Sequence, residues 1–300
     1  MKATVRSETV LPGLPSATGV EIVGPTAYVI ADDAPFLYAL DAATLAPTGR
    51  VPLFEAADFA TGRLPKATKP DLEALAACAW PGRGTGLLLF GSGSAPLRHR
   101  GYWVPLPPAP GGAPAAPPEA LDLGALYAAA QAALPAGARL NLEAAAATET
   151  ELLLLQRGVG AGAAAVVLRL PLAATLAHLA GPGPAPAPAA QRFALPMIDG
   201  CAAGFSGATF VGGRLWVTAA VENTADPVRD GAVLGSFVGV LDLDAGTADF
   251  ARLAWADGRP YAGKVEGLAR RRALPGGGHE LLLVTDDDRG GSTALVATVG

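Results

Sequence analysis

The sequence predicts an all-β chain, a five-bladed β-propeller closed by its own N-terminal strand. Three observations lead there. A short marker recurs five times along the 300 residues. Each copy is followed by hydrophobic runs of strand length. The last copy lacks one strand, and the N-terminus has one to spare. A repeat of this kind indicates units that cannot bury their apolar faces alone and must stack to do so.

The markers are Gly19-Val20-Glu21-Ile22-Val23, Asp71-Leu72-Glu73-Ala74-Leu75, Asn141-Leu142-Glu143-Ala144-Ala145, Gly204-Phe205-Ser206-Gly207-Ala208 and Lys264-Val265-Glu266-Gly267-Leu268. Their spacing leaves room for a four-stranded antiparallel sheet with loops, somewhat above the roughly 40–50 residues of common propeller repeats. In the first copy the marker is strand one, Gly24-Pro25 turns the chain, and Ala27–Ile30, Phe36–Leu40 and Gly49–Leu53 follow as strands. Later copies repeat the plan with Leu87–Phe90 and Gly101–Val104, then Leu152–Leu155, Ala165–Leu168 and Gln191–Leu195. Leu215–Thr218, Phe237–Leu241 and Asp249–Leu253 serve the fourth copy, Leu281–Val284 and Ala294–Ala297 the fifth. Ala3–Val10 is then free to complete the last sheet, which closes the ring and removes large exposed edges. Unbroken runs such as Leu152–Leu155 suit strands buried on both faces.

The predicted blades span about 17–54, 69–118, 140–196, 202–254 and 263–299 with 3–10, all in one domain over 1–300. Two insertions interrupt them. Pro105–Pro118 is rich in Pro, Gly and Ala, and Glu119–Leu134 reads as one surface helix with Leu121, Leu123, Leu126, Tyr127, Ala130 and Leu134 on its apolar side. Gly181–Ala190 is a semi-extended connection.

The composition narrows the function. The formal charge of −5 argues against a nucleic-acid partner, because such proteins carry a basic face. Arg270-Arg271-Arg272, ahead of Pro275 and three glycines, reads as a solvated turn. Cys78 and Cys201 have no metal or redox spacing. No run reaches the roughly 18 apolar residues of a membrane span. Met1–Glu8 lacks the apolar core of a signal peptide, so a cytoplasmic location is expected.

In a propeller the first strand of each blade lines the axis. Glu21, Glu73, Glu143 and Glu266 are therefore expected to converge there, with Ser206 in the remaining place. Close carboxylates in a poorly solvated channel repel and must be offset. A hard cation such as calcium would do so. So would internal pairing with Lys69, Lys264 and Arg157, or hydrogen bonds to the backbone of the next blade. The ends of the second strands add Asp32-Asp33, Gly91-Ser92-Gly93-Ser94, Gln156-Arg157-Gly158, Glu222-Asn223-Thr224 and Asp286-Asp287-Asp288 on one face. Asp32, Asp33, Asp286 and Asp287 are placed to share a calcium with Glu21 and Glu143. Arg98, His99, Arg100 and Arg157 offer positive charge for a phosphate or carboxylate.

Other motifs fail. Gly158–Gly162 has Ala163 where the dinucleotide fingerprint needs its last residue, and a strand follows. Gly204–Ala208 lacks the last glycine of a nucleophile elbow. His99, His178 and His279 show no ligand spacing. Neither a nucleotide, a haem nor a zinc site is expected.

Asn141-Leu142-Glu143-Ala144 with Glu151–Leu155, and Lys264–Ala269 with Leu283–Asp288, resemble the Glu-Gly-Leu/Ile-Ala and Ser/Thr-Asp-Asp/Asn signatures of the esterase-like phytase propellers. More closely, the chain resembles uncharacterised bacterial β-propeller proteins around that family, in which Lys69–Leu75 and Gly91–Ser94 have similar counterparts. The resemblance implies a propeller with calcium and phosphoester hydrolysis. Position 206, a serine where the other copies hold glutamate, departs from that pattern.

Two functions follow as expectations. One is a calcium-assisted hydrolase of a small phosphoester at the central channel. Glu73 or Glu266 would then be the general base, and Lys69, Lys264, Arg157, Arg98, Ser92, Ser94 and Asn141 would hold a small anionic molecule. The other is a non-catalytic propeller that binds a small ligand or a protein partner, with the glutamates as blade latches.

Overall fold

The computed structural model describes residues 1–56, 59, 62–107, 116–158, 165–223, 231–287 and 289–300. The described residues are mostly strand, with two α-helices. Strand β1 (Ala3–Val10) precedes a four-stranded sheet of β2 (Ala17–Val23), β3 (Thr26–Ala31), β4 (Phe36–Asp41) and β5 (Pro47–Pro52). A second sheet contains β6 (Leu72–Trp80), β7 (Gly84–Gly91), β8 (Arg100–Pro105) and β9 (Glu119–Asp122), and helix α1 (Gly124–Ala133) follows it. A third contains β10 (Leu142–Ala147), β11 (Glu151–Gln156), β12 (Ala165–Pro171) and β13 (Ala189–Phe193), with helix α2 (Leu172–Ala180) between the last two.

A small hairpin of β14 (Met197–Ile198) and β15 (Cys201–Ala202) leads into an eight-stranded sheet. That sheet consists of β16 (Gly204–Val211), β17 (Arg214–Asn223), β18 (Ala232–Asp242) and β19 (Thr247–Trp255), then β1, and then β22 (Ser292–Val299), β21 (His279–Asp286) and β20 (Lys264–Ala273). The N-terminal strand pairs antiparallel with β22, as the missing strand of the last copy requires. It also makes a short parallel pairing with β19, from Ala3 opposite Leu253 to Val5 opposite Trp255. That second contact fuses the last two units into one sheet.

The first strands contact one another in a closed cycle: β2 with β6, β6 with β10, β10 with β16, β16 with β20, and β20 with β2. The sheets thus surround an axis in a propeller-like arrangement. Apolar clusters fill the gaps between neighbours. Leu152–Leu155 show why the run is continuous: Leu152 and Leu154 face the second sheet's cluster, whereas Leu153 and Leu155 face the cluster shared with β16 and β17. All four are fully buried, each contributing about 1.5–3 kcal/mol of apolar transfer.

Small residues set how close the axis strands come. A Cβ on Gly267 would lie 2.9 Å from Gly19 Cα, and one on Gly19 would lie 2.6 Å from Leu75 Cδ2.

Two local expectations are corrected, and one helix is added to them. Glu119–Leu134 is not one helix: Glu119–Asp122 pairs with β8 as the fourth strand, with Trp103 opposite Glu119 and Arg100 opposite Asp122. Asp122 then accepts the Gly124 N–H at 2.8 Å and turns the chain into α1, whose Leu126, Tyr127 and Ala130 are buried. Helix α2 was not anticipated; it packs Leu172 and Leu176 over the second and third sheets. Arg270-Arg271-Arg272 lies on β20 rather than in a solvated turn. Arg271 donates to the carbonyls of Ala42 (3.0 Å) and Ala43 (2.7 Å) and pairs with Glu280, tying the last sheet to the first. Part of the Pro105–Pro118 insertion, 108–115, lies outside the described residues, as do Val159–Gly162 of the glycine-rich run. No helix among the described residues is long and apolar enough to cross a membrane.

Candidate functional site

Near the start of each first strand the pairing register slips by one residue. The slips fall between Ala17 and Gly19, Leu72 and Ala74, Leu142 and Ala144, Phe205 and Gly207, and Val265 and Gly267. The residues left over are Thr18, Glu73, Glu143, Ser206 and Glu266. A β-bulge leaves its extra residue unpaired and re-aims its side chain. Thr18, Glu73, Glu143 and Glu266 line a narrow axial cavity of about 180 Å³, its open end included. The first copy therefore places Thr18, not Glu21, at the marker position.

Glu21 sits three residues further along β2, opposite Tyr28 and half-buried. Burial pushes its carboxyl up to about 8. A carboxyl whose pKa is higher folded than unfolded favours folding below about pH 4.5 and loses that contribution as pH rises through about 8. Glu21→Gln removes this slope. The variant should match wild type near pH 4 and exceed it at pH 9 by on the order of 2–5 kcal/mol, read from denaturant unfolding at both pH values. A difference independent of pH would exclude this origin.

The two hydroxyl members of the bulge set act across the seams between sheets. Thr18 Oγ1 donates to the Leu72 carbonyl at 2.6 Å, and Ser206 Oγ donates to the Val265 carbonyl at 2.6 Å. Each acceptor immediately precedes the bulge of the next unit. Backbone bonds support the same seams: Leu142 N–H donates to Ser92 O (2.8 Å), and Phe205 N–H to Arg157 O (3.0 Å).

The glutamates enter charge networks instead. From the third unit to the last, Asn141 Nδ2 donates to Glu143 Oε1 at 2.6 Å, and Arg157 bridges Glu143 (3.2 Å) and Glu222. Lys264 then bridges Glu222 (3.3 Å) and Glu266 (2.8 Å). Glu222, from the extended end of β17, supplies the carboxylate that Ser206 does not. Glu143 is pushed up to about 7, because burial and the Glu266 charge outweigh the attraction of Arg157 and Lys264. Burial likewise raises Glu222. The Glu143 carboxylate, with Glu222, holds Arg157 firmly protonated.

A second network joins the first two units. Lys69 pairs with Asp32 and with Asp71 (3.1 Å), and Arg98 pairs with Asp71 at 2.7 Å. Ser92 donates to Asp71 Oδ2 at 2.6 Å and lies 2.9 Å from the Ser94 hydroxyl, which accepts from Arg98 at 2.8 Å. Tyr127 of α1 steadies this loop by donating to the Gly91 carbonyl at 2.5 Å. Burial pushes Asp32 up to about 6 despite Lys69. Burial alone would lower Lys69, yet Asp32, Asp71 and Glu73 together hold it well above the usual lysine value.

Glu73 stands between the two networks. Among the described residues no hydrogen bond or ion pair reaches its carboxylate. Burial raises its pKa well above the usual range, and the charges of Asp71, Glu143 and Asp32 raise it further. Single oxygens of Asp32, Asp71 and Glu73 all lie within 4.8 Å of one another.

The remaining predicted metal-site carboxylates go elsewhere. Asp33 is held by Arg63 and accepts from Ser16 at 3.2 Å. Arg63 also feels the charges of Asp32 and Asp286. Asp287 Oδ1 accepts from the backbone of Arg289 (2.8 Å) and Gly291 (2.7 Å), which closes a turn and lowers its pKa despite burial. Thr224 and Asp288 of the strand-end clusters lie outside the described residues. Sequence reasoning missed Thr18, Asp71 and Arg63 as site residues, and named Glu222 only within a strand-end cluster. The signal for Thr18 was present: Thr18-Gly19, Ser206-Gly207 and Glu266-Gly267 align as a polar residue followed by glycine.

Sheets cycled around a polar axis define a propeller-like all-β protein. Over residues 13–299 the chain matches the model of a family of unknown function, DUF6929, and it belongs to that family. No curated protein matches it. Among solved structures it is similar to the glutaminyl cyclase of Myxococcus xanthus, with 11% identity and a TM-score of 0.51 over 99% of this chain and 97% of that one. Drosophila semaphorin 1a, extracellular domains 1-2, gives 11% identity and 0.42 over 94% and 75%. The WD40 β-propeller domain of Doa1 gives 9% and 0.36 over 98% and 96%. At 11% identity the likeness to the glutaminyl cyclase concerns fold alone.

Proposed function

We propose that the chain is a five-bladed β-propeller acting as a non-catalytic binding module, with a small ligand received at the axial mouth beside Glu73. The blade count is supported by the closed cycle of β2, β6, β10, β16 and β20, each carrying the same bulge. Binding is favoured over phosphoester hydrolysis by one observation. The cations that would clamp a phosphate are already held by carboxylates: Lys69 by Asp32 and Asp71, Arg98 by Asp71, Arg157 by Glu143 and Glu222, and Lys264 by Glu222 and Glu266. Within this reading Thr18, Ser206, Glu143 and Glu266 are blade latches. Glu73 is the group left to meet a ligand. The competing activity, phosphoester hydrolysis, is what the resemblance of the motifs to esterase-like phytase propellers implies.

Phosphomonoesters and phosphodiesters are offered to wild type, Glu73→Gln and Glu266→Gln, with calcium and with chelator. No turnover is expected. Turnover that falls in either variant would replace the binding module with the hydrolase. The latch role is read separately. Ser206→Ala should lower stability by about 1–2 kcal/mol, because it leaves the Val265 carbonyl unsatisfied. An unchanged melting temperature would remove that role.

A further inference from the structure

The geometry points to a binding site for a small oxyanion, a phosphate or carboxylate group, between the last two units at the end of the ring away from Glu73. Arg214, Arg270 and His279 form it. β20 starts at Lys264 in the axial network and carries Arg270 four residues beyond Glu266, about 13 Å further at the rise of a strand. The strand register decides which way each side chain faces. Arg270 lies opposite Leu281, and His279 is two residues from Leu281 on β21. Arg214 lies opposite Val211, and Trp216 is two residues from Arg214 on β17. Paired residues, and residues two apart, share one face of a sheet. Leu281, Val211 and Trp216 belong to the apolar cluster that fills this seam. Both arginines, which are exposed, and the half-buried histidine therefore face the same seam at its solvent end.

The charge and chemistry narrow the occupant. Lys69, Arg98, Arg157 and Lys264 are each held by carboxylates. Arg214 and Arg270 have no hydrogen bond or ion pair among the described residues, in a chain whose formal charge is −5. The carboxylates nearest in register are engaged elsewhere. Glu280 lies opposite Arg272, on the other side of the sheet, and holds Arg271 and Arg272. Asp242 accepts the backbone N–H groups of Asp244 (3.1 Å) and Ala245 (2.9 Å) and closes its own turn. Asp249 pairs with the N-terminal ammonium at 3.6 Å. The His279 ring stands edge-on to Trp216, with centroids 4.9 Å apart, and its Nδ1 is buried without a hydrogen-bond partner. A proton on Nδ1 would be a buried donor with no acceptor, so the neutral ring carries it on Nε2. Burial and the Arg270 charge both lower the His279 pKa and keep the ring neutral. Nε2–H, on the opposite edge of the ring, is then a third donor beside two guanidinium forks. Such forks match the paired oxygens of a phosphate or carboxylate.

The histidine ring signals test the site, followed by proton–carbon NMR while sodium phosphate or sodium acetate is added at constant ionic strength. The chain has three histidines, His99, His178 and His279, and a His279→Gln variant assigns the third. Saturable movement of the His279 signals alone is expected with at least one of the two anions, at concentrations up to the order of tens of millimolar. A response to phosphate alone identifies a phosphoryl ligand, and a response to acetate alone a carboxylate. Arg214→Gln and Arg270→Gln, both at exposed positions, should each weaken that binding by about tenfold, as loss of a hydrogen bond to a charged group does. No saturable movement of His279, equal movement of all three histidines, or unchanged affinity in both variants would overturn the assignment. Glu73→Gln should leave the titration unchanged, so failure of the binding module at the axial mouth and failure of this site are read separately.

Discussion

Gly267→Val should leave the chain unable to close its ring. Gly267 follows the Glu266 bulge on β20, where β20 meets β2 and the last unit is joined back to the first. Even one added carbon would stand 2.9 Å from Gly19 Cα, 2.9 Å from Val20 N and 3.0 Å from Val284 Cγ2. Two of those atoms are backbone, so relief requires β20 and β2 to separate, not a side chain to rotate. Overpacking that side chains can absorb costs about 1–3 kcal/mol; a clash of backbone against backbone exceeds it. Gly267→Ala should therefore lose more than about 3 kcal/mol, read from denaturant unfolding, and Gly267→Val should be largely insoluble. Gly49→Ala on β5 is the control, since nothing lies within 4 Å of its added carbon, and its effect should stay within about 0.5 kcal/mol. Wild-type stability in Gly267→Ala would show that the axis is looser than described.

The same contact explains what could be read in the chain beforehand. Short markers followed by runs such as Leu152–Leu155 are legible because burial on both faces leaves no polar alternation. The spare N-terminal strand is legible because a repeat makes a missing member visible. Two things were hidden. A bulge shifts the register by one residue without any change of composition, so Glu21 matched the glutamates of the other copies although Thr18 takes their place in space. In Glu119–Leu134, alternating residues of a four-residue strand run directly into a helix, and Leu121 and Leu123 satisfy both periods until Asp122 is seen to turn the chain.

At the site, the residue types were legible but their pairing was not. Lys69 and Lys264 stand two residues before acidic positions in sequence, whereas Arg157 does not, and the structure pairs all three with carboxylates from a neighbouring unit as well as their own. Which carboxylate remains over depends on how the sheets are stacked. Glu73 and Glu266 look alike in sequence, yet Lys264 reaches Glu266 at 2.8 Å and no cation pairs with Glu73 among the described residues.

Arg157→Met should be the most destabilising single change within the polar axis. Arg157 is the common partner of Glu143 and Glu222, and both carboxylates are buried. Removing one partner of a buried ion pair costs about 3–5 kcal/mol; here it leaves the Glu143 charge without a paired cation, whereas Glu222 keeps Lys264 at 3.3 Å. The pH dependence separates this from simple loss of packing. Glu143 already stands at about 7 with Arg157 present, and Glu222 is raised in the same direction. Without the guanidinium both rise further. Protonation then relieves the unpaired charge, so the deficit should shrink as pH falls from 8 towards 5 and grow as pH rises. Unfolding at pH 5 and pH 8 measures it. A second comparison uses Arg157→Met with Glu143→Gln, since Glu143 is the carboxylate that Arg157→Met leaves without a paired cation. If the penalty arises from an unpaired buried carboxylate, the double variant recovers stability at pH 8. A double variant as unstable as the sum of the two single changes would show that Arg157 acts through packing instead.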